Sequence, residues 1–119
     1  MIQKPEIVSK GWGAEVVIHN SKDYCGKLLI FKIGSEGSTH FHINKKESWY
    51  LVSGEILVEL TNKETADVEK FYMEKGDTIT IERGQVHKVI AFEDSTIFEV
   101  STFHEDSDTY RVGKGDSQK

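Results

Sequence analysis

Proline and cysteine are almost absent from this chain, with one of each, Pro5 and Cys25, in 119 residues. A lone cysteine has no internal partner, so no disulfide holds the fold together, and Cys25 reads as a small packed side chain. Apolar runs are short, none beyond six residues, which leaves no segment able to cross a bilayer as a helix. Positive charge is in deficit, with 15 Lys and Arg against 20 Asp and Glu for a net charge of −5. That balance argues against a general affinity for nucleic acid, which needs a basic surface to displace counterions. The opening Met1-Ile2-Gln3-Lys4-Pro5-Glu6 lacks the apolar stretch of a secretory leader. The expectation is a cytoplasmic protein with neither nucleic-acid nor membrane partners. Helical periodicity is also scarce: the best helix candidate, Glu105 to Val112, is short and polar.

Strand signals are abundant. Apolar residues make up 37% and charged residues 29% of the chain, an ordinary globular composition, and the length suits one domain. Strands are expected over Glu15–His19, Gly26–Ile33, Glu47–Val52, Glu55–Thr61, Val68–Met73, Thr78–Ile81, Val86–Phe92 and Thr96–Phe103. Turn residues separate them: Asn20-Ser21-Lys22-Asp23, a Ser53-Gly54 hairpin, and Glu74-Lys75-Gly76-Asp77. Many short strands with such punctuation indicate an all-β sandwich or barrel of two antiparallel sheets. Residues 1–112 read as one domain and residues 113–119, small and polar, as a flexible tail. Exposed β-edges in a chain of this size predict a homodimer, with Glu15 to His19 as a candidate exchanged or added strand.

Chemistry concentrates at four positions. His40 and His42 are two residues apart, so on an extended strand both imidazoles face one side. Glu47 follows after the turn Ile43-Asn44-Lys45-Lys46, long enough to bring a carboxylate back beside them. His87 opens a later strand. Three imidazoles and a carboxylate suit one divalent transition ion (manganese, iron, nickel, cobalt, copper or zinc) better than calcium or magnesium. His19 and His104 fit no such pattern and read as surface or edge residues.

Residues 34–54 read G-x5-H-x-H-x4-E-x6-G, which resembles the first signature of the cupin superfamily. Residues 76–91 read G-x5-E-x-G-x2-H-x3-A, which resembles the second, with Glu82 in place of the usual proline and Ala91 in place of asparagine. The resemblance implies a double-stranded β-helix, or jelly-roll barrel, with His40, His42, Glu47 and His87 as metal ligands. A further resemblance, to the type II phosphomannose isomerases, runs along some 100 residues. It rests on Lys10-Gly11-Trp12-Gly13-x-Glu15, Tyr24-Cys25-Gly26-Lys27-Leu28, Glu47-Ser48-Trp49, Ile81 to Lys88, Phe98 to Thr102 and Asp106 to Arg111. The D-x-Y-G-R ending of that family is absent.

Such a site would leave about two coordination positions open, the mark of a working rather than a structural ion. What the resemblance implies is a metal-dependent isomerase of a sugar or sugar phosphate, an open-chain sugar presenting its carbonyl and neighbouring hydroxyl to the ion. Strand alternation places Trp49 and Leu51 on the face of Glu47, and Val89 and Ala91 on the face of His87. Lys27 and Glu99 are the candidate proton-transfer residues, with Tyr50 and Tyr72 as further polar members of the pocket. Trp49 is a candidate for stacking on a sugar ring. Arg83 and Arg111 are candidate clamps for a phosphate. An iron-dependent dioxygenase and a non-catalytic sugar-binding protein are the alternatives.

Overall fold

A computed structural model describes residues 1–119. Eleven strands are present: β1 Glu6–Lys10, β2 Gly13–Asn20, β3 Cys25–Phe31, β4 Thr39–His42, β5 Glu47–Ser53, β6 Glu55–Thr61, β7 Val68–Glu74, β8 Thr78–Ile81, β9 Val86–Ala91, β10 Ser95–Ser101 and β11 Thr109–Gly113. They form two antiparallel sheets, a six-stranded one in the order β1-β2-β3-β10-β5-β8 and a five-stranded one in the order β11-β4-β9-β6-β7. This is the expected all-β jelly roll. No helix is long and apolar enough to cross a membrane.

The fold differs from the sequence reading at several places, the first being the additional strand β1 ahead of β2. The best helix candidate, Glu105 to Val112, is one 3-10 turn, Asp106–Asp108, followed at once by β11. Thr109, Tyr110 and Arg111 pair with His42, Phe41 and His40 of β4, and that ladder outweighs the weak helical pattern. Ser53-Gly54 makes no hairpin. β5 belongs to the larger sheet and β6 to the smaller, so Gly54 is the corner where the chain changes sheets. Its φ of 92° and the closeness of Ser95 leave no room for a Cβ. Finally, Glu15–His19 lies inside β2, flanked by β1 and β3, so the edge strand on that side of the sheet is β1.

Residues facing inward change character along the strands. β3 presents Lys27, then Leu29 and Phe31; β5 presents Glu47, then Trp49 and Leu51; β9 presents His87, then Val89 and Ala91; β10 runs the other way from Ile97 to Glu99. Antiparallel register aligns the rows, with Glu99 opposite both Lys27 and Trp49, and Ile97 opposite both Leu29 and Leu51. One end of the barrel is therefore charged and the other apolar. The apolar end joins Leu29, Phe31, Leu51, Ile56, Val58, Met73 and Ile97 in one buried cluster, which Ile81, opposite Glu47, extends toward the charged end. Trp12 stacks on Phe31 with ring centroids 4.0 Å apart and belongs to the same cluster.

Candidate metal centre

β4 carries His40 and His42 one pleat apart, and β9 lies beside it with His87 opposite His40. One ring nitrogen from each of the three histidines lies within 4.8 Å of the others. The Nδ1 atoms are all engaged with backbone carbonyls: His40 with Ser38 at 3.0 Å, His42 with Asp108 at 3.2 Å, His87 with Gln85 at 2.8 Å. A carbonyl only accepts, so each Nδ1 carries the proton and each Nε2 turns a lone pair to the common centre. Such outer hydrogen bonds fix ring orientation in metal-binding histidines.

Glu47 enters from the other sheet, because the Ile43–Lys46 turn carries the chain from β4 to β5. Its Oε1 accepts the indole N–H of Trp49 at 2.7 Å. Its Oε2 lies 3.4 Å from His42 Nε2 and 4.0 Å from His87 Nε2. Both that oxygen and His87 Nε2 are buried without a hydrogen-bond partner. Buried polar atoms left unpaired are costly, and two lone-pair atoms aimed at the same point are what a cation would satisfy. The three histidines make a possible metal site, and Glu47 Oε2 is placed to join them.

Burial sets the charge state of the cluster. It lowers all three histidines: His40 to about 2, with His87 adding to the effect; His42 to about 4, with Lys45 adding; and His87 to about 4. The imidazoles are thus neutral near pH 7, the form that binds metal. Burial and then the neighbouring Glu99 push Glu47 up, to about 8. Burial acts on Glu99 in the same direction, but Lys45 and Lys27 overcome it and hold Glu99 at about 2.

The cavity around this cluster has a volume of about 100 Å³ and brings together most of the residues singled out in the sequence. His40, His42, Glu47, Trp49, Lys27, Glu99 and Arg111 all line it. Lys27 is buried, 3.6 Å from Glu15. Arg111 stands opposite His40 on β11; it is the one lysine or arginine of the lining without a carboxylate within 4.0 Å, since Lys10 and Lys27 pair with Glu15 and Lys45 with Glu99. Arg83 lies elsewhere: it is exposed, donates to the Asn44 carbonyl at 3.0 Å, and borders a separate depression with Asp108 and Phe103. Tyr50 and Tyr72 are exposed and line no part of the cavity.

Among the lining residues that escape the sequence reading, two are titratable side chains next to the cluster. Lys45 sits in a polar turn, yet it is buried, with Nζ 2.8 Å from Glu99 Oε2 and 4.0 Å from Glu47 Oε2. His104, read as a surface residue, lies in the cavity wall, with Nδ1 3.2 Å from Lys45 Nζ and Nε2 2.9 Å from Asp106 Oδ1. No local spacing announces either one. Only the His-x-His and Glu frame, once placed, would bring an intervening Lys45 inside.

The model of the cupin domain matches residues 27–103, about two thirds of the chain. An uncharacterised protein of Bacillus subtilis, YdbB, is 28% identical over 79 residues, covering 66% of this chain and 64% of its own length. The capsular polysaccharide assembling protein CapF of Staphylococcus aureus superposes with a TM-score of 0.84 at 18% identity, over 95% of this chain but 33% of CapF. The oxalate decarboxylase of Bacillus subtilis, a protein with Mn(II) centres, superposes with a TM-score of 0.78 at 16% identity, over 91% of this chain and 30% of its own. This chain therefore spans under two thirds of YdbB and about one third of the two larger proteins.

Proposed function

We propose, for a chain that belongs to the cupin domain family, that it is a metal-dependent isomerase of a small sugar or sugar phosphate. The observation that carries this reading is the convergence of three neutral imidazole nitrogens and an unpaired Glu47 oxygen on one buried point. His40, His42, His87 and Glu47 would hold a divalent transition ion there. When bound, the ion supplies Lewis-acid polarisation of a ligand carbonyl.

The rest of the cavity serves the ligand. Arg111, with no carboxylate partner, offers a planar fork to a phosphate or carboxylate on the side of His40. Glu99 and Lys27 face each other across β3 and β10 and are the proton-transfer pair in this reading. Interconversion of an aldose and a ketose moves the C2 proton to C1 and the hydroxyl proton from O2 to O1, so it needs no co-substrate. Mannose 6-phosphate is the substrate suggested by the sequence resemblance. Lys45 keeps Glu99 charged, and Trp49 fixes the orientation of Glu47.

A second reading, metal-assisted binding without turnover, draws support from the same pairs. Glu99 is committed to Lys45 at 2.8 Å and Lys27 to Glu15 at 3.6 Å. The test is metal content by elemental analysis, followed by an isomerase screen of free and phosphorylated pentoses and hexoses on the metal-saturated protein. The expected result is about one ion per chain, turnover of an aldose–ketose pair, and a raised KM for the phosphorylated substrate alone in Arg111→Met. A metal-saturated protein that binds these sugars and converts none would establish the second reading.

A further inference from the structure

We infer that the C-terminal segment Lys114–Lys119 is a built-in strap that completes one wall of the ligand cavity, with Ser117 and Gln118 as ligand-facing donors. The segment leaves β11 and folds back as a 3-10 turn, Asp116–Gln118. It is anchored to two loops far away in sequence. Asp116 and Glu36 exchange a pair of hydrogen bonds: the Glu36 N–H donates to Asp116 Oδ2 at 2.8 Å, and the Asp116 N–H donates to the Glu36 carbonyl at 2.9 Å. The Gly11 N–H donates to Ser117 Oγ at 2.9 Å.

Both contacts need bare backbone. A Cβ on Gly115 would overlap Gly37 and Ser38, and a Cβ on Gly11 would overlap the Asp116 carbonyl. The two glycines therefore match a specific docked position, which a loosely held tail would not require. In that position Ser117 and Gln118 line the same cavity as His40, Trp49 and Arg111.

Their free hydrogen-bonding groups suit the ligand class proposed above, on which this assignment of their role rests. Gln118 uses Oε1 to accept the Gly115 N–H at 3.0 Å, which leaves its amide NH2 as a donor. Ser117 Oγ already accepts from Gly11, so its own proton remains to be given. Together with the Arg111 guanidinium, these are donors for an anionic, oxygen-rich molecule. An open strap admits it and a docked strap holds it.

The test uses the full chain in a Trp12→Phe background, where Trp49 is the only indole and reports access to the cavity. Gly115→Val and the double variant Asp116→Ala, Ser117→Ala release the strap in different ways, and amide exchange of residues 114–119 reads the release. The expected result in either folded variant is fast exchange of the segment and a severalfold rise in acrylamide quenching of Trp49. Unchanged quenching once the segment exchanges freely would overturn the inference, as would a segment that already exchanges freely in the parent. The second arm titrates inorganic phosphate. Gln118→Glu is expected to weaken phosphate at least tenfold, and Lys114→Glu, an exposed change on the same segment, to do so much less. Equal effects of the two would overturn the ligand-facing role of Gln118. A parent protein that binds no phosphate would refute the anion site at Arg111 and with it that role, while the quenching arm would still decide the strap.

Discussion

Asp108→Ala removes a side chain that touches no ligand atom, yet it should damage both the fold and the metal centre. Asp108 is buried, and its carboxylate accepts the N–H of Ile43 at 3.0 Å and the N–H of Asn44 at 3.1 Å and 3.2 Å. Those two amides open the turn that carries the chain from His42 past Lys45 to Glu47. Hydrogen bonds to a charged group contribute about 1.5–3 kcal/mol each. Because the turn is partly open to water, the low end applies, giving about 3 kcal/mol for the two donors. A chain of this size has an unfolding entropy near 0.25 kcal/mol/K, so the melting temperature should drop by about 12 °C. Asp108→Asn keeps one acceptor oxygen and should lose roughly half of that. The metal-free protein is melted by circular dichroism, and Co(II) affinity is then titrated well below the new melting temperature. With the turn loosened, His42 and Glu47 lose their fixed separation. Co(II) affinity should fall about 10–100-fold, as for other residues that orient metal ligands. An alanine variant that melts within about 2 °C of the parent and binds Co(II) equally well would refute the clamp.

Three other outcomes are expected. His87→Ala should lower Co(II) affinity by more than about 100-fold while changing metal-free stability far less, because it also removes an unpaired buried nitrogen; isothermal titration and thermal melts separate the two effects. Lys45→Met should cost about 3–5 kcal/mol by stranding Glu99, and the double variant with Glu99→Gln should recover much of it in urea unfolding. Metal-free stability should follow pH with a definite sign. Folding lowers the three clustered histidines and His104 beside them, so the unfolded chain binds more protons and stability falls as pH drops from about 6.5 toward 4, by about 1.4 kcal/mol per pH unit for each of the three clustered groups. Glu47 acts oppositely: its raised value gives stability at low pH that is lost as pH rises toward about 8. Urea midpoints across pH 4 to 8 should therefore peak near pH 6.5 without metal, and the decline above that peak should vanish in Glu47→Gln.

Most strands and the clustering of the three histidines were legible in the sequence because both are set locally. Two-residue alternation gives a strand, and it also puts His40 and His42 on one face. Glycine-framed spacing brings Glu47 and His87 into the same pattern, and the four residues meet in the structure. Residues whose environment comes from the other sheet were not legible. Lys45 is polar and lies in a turn, so nothing local separates it from Lys46 beside it, which is half exposed. Its burial follows only because the turn bridges the two sheets and faces Glu99 on β10. His104 stands outside every motif, and it reaches the cavity because β10 delivers the chain there before β11 turns back to pair with β4.

Gly54 shows the same division. A Ser-Gly pair between two apolar runs specifies a sharp change of direction, and the sequence determined that much. Whether the chain then pairs with itself or crosses to the other sheet depends on which strands already flank β5. Those are β8 and β10, so both of its edges are taken. Local spacing by itself determined most of the strands, the corners and the shared face of His40 and His42. The tertiary structure decided which charges are sealed in beside them, because burial and charge pairing arise only when two sheets close on one space.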